Sequence, residues 1–194
     1  MSRQATVRSL SATDWISAAM EAIVEGGVGG VAVEPLAVRL GATKGSFYHH
    51  FPNRDALIVA ALEEWERSQT EAVIERLELI PDPAERLRAV LAAAFADRRG
   101  GMRDAALQAS AGHPLVKPIV ERVTERRLRY FTDRYVQLGF PRSRARRRAV
   151  MLYLSYIGLF DRLRLGLADL SDAELRAHAH EVLSTLVPST ASDR

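Results

Sequence analysis

Apolar residues recur along this chain at the three-and-four spacing of an amphipathic helix, and no stretch alternates convincingly in the two-residue rhythm of a strand. An all-α fold follows, with glycine and proline clusters marking where one helix stops and the next begins. Ser11 or Thr13 is placed to cap the first helix, with Asp14 in its first turn and Ile16, Ala19, Met20 and Ile23 on one face. The run EGGVGG, residues 25–30, ends it, with Gly26 or Gly27 suited to a left-handed cap. A short helix is expected over 33–40, where Pro35 is tolerated in the first turn, then a tight turn at 41–43 and a second short helix over 44–51. PNRD, residues 52–55, restarts the chain with Asn53 as N-cap of a long helix over 54–80. Beyond PDP at 81–83, helices are expected near 84–99, 103–111, 115–138, 142–167 and 172–187, the first two separated by Gly100-Gly101.

The division gives a small N-terminal unit, 1–54, and a larger helical bundle, 55–194. A length of 194 residues suffices for one or two domains with a sizeable core, and a charged fraction of 26% does not suggest disorder. There is no cysteine, which excludes disulfides and thiolate metal sites and fits a cytoplasmic protein. The N-terminal segment has no apolar core of signal-peptide length. The longest apolar run, VMLYLSYIGLF at 150–160, is too short and too closely flanked by arginine to span a membrane. The net charge of +3 permits an acidic partner without selecting one.

The stretch TKGSFYHHF, residues 43–51, concentrates unusual chemistry. With Thr43 as N-cap, Phe47 and Phe51 lie four apart on one side and can pack inward against the preceding helix. The outer side then carries Lys44, Tyr48 and His49, with Gly45 and Ser46 allowing close approach, beside the free N–H groups of a helix start that favour an anion. No acid falls between Glu34 and Asp55, while Arg39, Lys44 and Arg54 do, so the positive charge is local. Adjacent helical residues point about 100° apart, so His49 and His50 cannot chelate one ion, and His178 with His180 fails similarly. No metal site is expected. A charged short helix joined to another by a three-residue turn is the layout of a helix-turn-helix reader of DNA.

The segment AVEPLAVRLGATKGSFYHHFPNRDAL, residues 32–57, resembles the DNA-binding signature of TetR-family transcriptional regulators, and WISAAMEAIVEGGVGG before it resembles that family's first helix. The resemblance implies a three-helix helix-turn-helix DNA-binding domain followed by a helical-bundle domain for ligand binding and dimerisation. It implies a homodimer whose recognition helices, here 43–50, enter the major groove of a palindromic double-stranded operator, released when a small-molecule effector binds. Carried over by position, Thr43, Lys44, Tyr48 and His49 meet phosphates or flanking bases, Gly45 and Ser46 approach base edges, and Arg54 meets phosphate. His50 falls where the family packs an aromatic inward. The family's second helix opens with a Thr or Ser that caps it and touches phosphate; Ala32 and Val33 stand there instead, followed by Glu34, whose charge opposes phosphate.

In the bundle, Trp65, Phe95, Met102, Tyr130, Tyr153 and Tyr156 are candidates either for lining a pocket or for packing the core. The run at 150–160 is apolar all round, which burial by its own bundle and by a partner subunit would explain. Gly158 inside it costs roughly 1 kcal/mol against alanine, and close helix crossing is a reason to tolerate it. Tyr156, Gly158, Phe160, Leu175, Val182 and Leu186 are therefore the expected dimer contacts. RSRARRR, 142–148, points its arginines several ways and suits a solvated helix start; Arg3 and Arg8 suit either a DNA-reaching arm or a loose tail. No nucleophile elbow, phosphate loop or metal spacing appears, so neither catalysis nor a cofactor is expected. The rival reading is a helical-bundle small-molecule-binding protein or enzyme whose N-terminal unit does not bind DNA.

Overall fold

The computed structural model describes residues 10–188, and the expected Arg3/Arg8 arm lies outside them. The described residues form helices and turns without a strand. The chain divides into two compact units, Met1–Glu64 and Trp65–Arg194.

The first unit opens with α1, Ala12–Gly26. Ser11 caps it reciprocally with Asp14: the Ser11 N–H and hydroxyl donate to the Asp14 carboxylate at 2.7 Å, and the Asp14 N–H returns to Ser11 Oγ. Trp15, Ala18, Ala19, Ala22 and Ile23 form its buried face. A 3₁₀ turn, Val28–Gly30, leads to α2, Val33–Leu40, which ends at Gly41 with φ of 63°, the left-handed region that favours glycine. Then come α3, Lys44–His50, and α4, Arg54–Glu66. The unit's aromatic centre is Phe47, edge-on to Trp15 with centroids 5.3 Å apart and stacked on Phe51 at 5.9 Å. Leu57, Ile58, Ala61 and Leu62 of α4 are buried as well.

The long helix expected over 54–80 is interrupted. After α4 comes a π-helical turn, Arg67–Glu71, and then α5, Ala72–Glu78. The remaining helices are α6, Pro83–Ala96; α7, Arg98–Ala109; α8, Lys117–Gln137; α9, Arg142–Arg164; and α10, Asp172–Leu186. α9 packs along α8 and α7, while α10 packs mainly on α6. Their shared core includes Leu87, Phe95, Tyr135 and Phe160.

Gly100 and Gly101 do not separate two helices. The break is the single residue Asp97, whose carboxylate accepts from the Gly100 N–H at 2.9 Å and so starts α7 at Arg98, ahead of both glycines. A Cβ on Gly101 would stand 2.5 Å from the Phe160 ring, and one on Gly100 2.2 Å from the Asp97 carboxylate. The pair is glycine because α7 approaches its neighbours closely, not because the chain turns there.

Candidate nucleic-acid interface and ligand cavity

Thr43 accepts from the Ser46 N–H at 3.2 Å and starts α3, which sets the face of every residue after it. Phe47 goes inward, and Tyr48 lies outward, 53% exposed, with its ring edge-on to Phe47 at 5.0 Å. His49 is exposed, whereas His50 is half-buried with Nε2 3.0 Å from the Leu10 carbonyl. A Cβ on Gly45 would meet nothing nearer than Thr43 Oγ1 at 3.7 Å, so α3 presents bare backbone there. Thr43, Lys44, Gly45, Ser46, Tyr48 and His49 thus share one short helix.

Two residues depart from the simple picture. Lys44 Nζ lies 2.8 Å from Glu34 Oε1, joining the first turns of α3 and α2. The hydrogen bond and the charge of each partner raise the Lys44 pKa and lower that of Glu34, so both stay ionised. Arg54 donates through Nε to the Val31 carbonyl and through Nη2 to the Val28 carbonyl, with Asp55 3.3 Å from Nη1. Its guanidinium thereby ties the start of α4 to the turn before α2. The α2 N-cap, Ala32, makes no side-chain cap.

The second unit holds a cavity of about 310 Å³. Val73, Ile74, Leu77, Val90, Leu91, Phe131 and Leu152 supply its apolar wall. The polar wall is built around Asp104 of α7, which is 5% exposed. Asp104 accepts from Trp65 Nε1 at 2.7 Å, Arg127 Nη1 at 2.6 Å and the Tyr156 hydroxyl at 3.3 Å. Arg127 also donates to Thr70 Oγ1 at 3.0 Å and to the Gln69 carbonyl at 3.1 Å, both in the π turn. The widened turn offers that carbonyl sideways, a common use of a π segment. Burial alone would lower the Arg127 pKa; Asp104, with Tyr153 and Tyr156, more than offsets it. Burial pushes the Tyr153 and Tyr156 phenols up, keeping them protonated donors. Tyr153 receives the Gln108 amide at 2.7 Å and lies 3.2 Å from Thr124 Oγ1.

Of the aromatic and methionine candidates, Tyr130, Tyr153 and Tyr156 line the cavity. Trp65 stands behind its wall, with the Arg127 guanidinium 5.3 Å over its ring. Phe95 is core, in ring contact with Tyr156, Phe160 and His178, and Met102 packs against that core. Tyr156, a candidate both for a pocket and for a subunit interface, faces the cavity, where its hydroxyl is held by Asp104. Phe160, Leu175 and Leu186 are buried within their own bundle and Val182 is half-buried against it, so these side chains are spent on the unit's own core. Gly158 is exposed, with open space where a Cβ would be. Asp104 and Arg127 were missed as site residues. Their signal was weak but present: Asp104 lies four after Gly100 and three before Leu107, the buried side of α7, where an acid needs a cationic partner.

The sequence model described as "Bacterial regulatory proteins, tetR family" matches residues 16–61, which run from α1 into α4. The chain is also 26% identical over 188 residues to the HTH-type transcriptional regulator BetI of Burkholderia ambifaria, covering 94% of this chain and 97% of that protein.

The N-terminal unit carries the TetR-family DNA-binding sequence.

The likeness extends to the whole TetR-like fold. A TetR-family regulator from Agrobacterium tumefaciens superposes with a TM-score of 0.76 at 20% identity, covering 91% of this chain and 97% of that one. FadR from Bacillus subtilis, solved with stearoyl-CoA, gives 0.71 at 18% identity over 93% and 100%. AibR, solved with isovaleryl coenzyme A and operator DNA, gives 0.68 at 20% identity over 91% and 98%. Among the described residues, no helix is long and apolar enough to cross a membrane, and no cluster of metal-ligating side chains occurs.

Proposed function

We propose that the protein is a cytoplasmic, non-enzymatic repressor that binds a palindromic operator as a homodimer and leaves it when a small molecule enters the cavity. The observation that carries this reading is the α3 surface. A Thr43-capped helix presents Lys44, Gly45, Ser46, Tyr48 and His49 to one side while Phe47 anchors the other. Such a helix suits the major groove, with the hydroxyl, ammonium and imidazole meeting phosphate and the bare glycine backbone approaching base edges. The similarly folded AibR was solved with both isovaleryl coenzyme A and operator DNA, so this fold can hold a small molecule and a duplex.

A second copy has an apolar stripe to meet. Met151, Leu154 and Leu165 of and just after α9 are 54%, 59% and 51% exposed, and share a face with Gly158. Two such faces, set against each other, give a four-helix contact with α10. A gel shift of the full chain on the duplex upstream of its own gene tests the reading. Retarded duplex that is released by a small molecule is expected; failure to bind any duplex at low salt would favour a helical-bundle binding protein instead.

A further inference from the structure

The side chains around the cavity carry a surplus of positive charge. Arg76, Arg103 and Arg127 line it, against Asp97 and Asp104. Both acids have work already: Asp97 caps α7, and Asp104 accepts three donors. The arginines are less committed. Arg127 uses three of its five N–H groups on Asp104, Thr70 and Gln69. Arg103 Nε is buried with no hydrogen-bond partner among the described residues. Apart from the buried Tyr130 hydroxyl, which can donate or accept, the uncommitted capacity in the polar wall is donor capacity, and a buried donor without an acceptor costs about as much as a lost hydrogen bond, so an arriving acceptor gains it.

We propose that the effector is a small monoanion, a carboxylate on an apolar body, whose charged group lies against Arg103 and the spare N–H groups of Arg127. This rests on the reading of the cavity as the effector site. The apolar wall takes the hydrocarbon part, and protonated Tyr156, held by Asp104, keeps that acid from meeting the incoming anion. A volume of about 310 Å³ is that of roughly ten waters. It suits a free acid with a short chain or a ring, and it leaves no room for a coenzyme A moiety within the cavity.

The test uses the full chain with octanoate, cyclohexylacetate and 3-phenylpropionate, each beside its primary amide, its primary amine and its coenzyme A thioester. Melting temperature and release of the upstream duplex are read together. At least one acid is expected to raise the melting temperature with concentration and release the duplex, while its amide, amine and thioester do neither. Arg103→Met should weaken the acid by about ten- to a hundredfold while leaving the ligand-free melting temperature and duplex binding in place. Should that variant unfold, the comparison of acid with amide and amine in the unaltered protein decides the matter alone. The proposal is overturned if amides or amines act as well as acids, if the thioester acts and the acid does not, or if no acid binds at about 10 mM while the duplex is still retarded. Loss of duplex binding by the unaltered protein would instead remove the regulator reading, and this inference with it.

Discussion

One ion pair from each unit sits in an opposite environment. Lys44 and Glu34 in the first are 55% and 73% exposed, while Arg127 and Asp104 in the second are 12% and 7% exposed. An exposed pair contributes little to stability because water and salt screen it. It is therefore free to exchange partners, as the proposed phosphate contact of Lys44 requires. A buried pair has no water to fall back on, so neither member can be left alone. The first arrangement suits a surface that meets a polyanion; the second suits a wall that must hold its shape until a ligand enters.

The largest effects should come from each unit's centre. Phe47→Ala removes the ring that Trp15 and Phe51 pack against and should cost about 3–5 kcal/mol, abolishing duplex binding while the second unit keeps its own thermal transition. Arg127→Leu leaves Asp104 buried and unpaired and should cost about 3–5 kcal/mol in the second unit. Adding Asp104→Asn should return part of it, since a neutral amide needs no counter-charge. Calorimetry of the full chain separates the two transitions; coincident losses in both variants would break the contrast between the units.

Smaller effects sharpen it. Gly101→Ala drives a methyl into the Phe160 ring and should cost about 1–3 kcal/mol, read as a lower melting temperature of the second unit. Gly158→Ala meets open space, and by helix propensity it should stabilise a lone subunit by up to about 1 kcal/mol. Gly158→Leu should split the dimer, which light scattering checks; an intact dimer would argue against close crossing at that residue.

The smallest changes belong to the exposed pair. Lys44→Ala should weaken binding to every duplex and lower the salt slope by about one. Glu34→Gln should do the reverse, tightening binding at low salt because the competing carboxylate is gone. Equal salt slopes for Glu34→Gln and the unaltered protein would show that Lys44 is not held back by its neighbour.

Much of the first unit was legible in order of residues alone, for reasons that act over one or two turns. Thr43 capping α3, Asn53 accepting from Ala56, Gly41 closing α2 and Phe47 stacking on Phe51 are all contacts within four residues. The face of α3 that carries the expected DNA contacts follows from its cap and the helical period. Arg54 was the exception: its type and place suggested phosphate, but its guanidinium is taken by carbonyls twenty-odd residues earlier.

The second unit was legible only as helices. Its periodicity showed that α6 to α10 exist and roughly where they run, because burying one stripe per helix requires it. It did not show that Asp104 finds Arg127 across 23 residues, that Trp65 reaches the same carboxylate across 39, or that Tyr156 turns toward the cavity and away from a subunit contact. A glycine pair looks the same to the chain whether it ends a helix or lets one pass close to a ring; only Phe160 opposite Gly101 decides between them. The sequence by itself determined an all-α chain with a helix-turn-helix unit, since caps and periods are local. The cavity and its surplus of donors were decided by tertiary packing, since they arise where five segments of the chain meet.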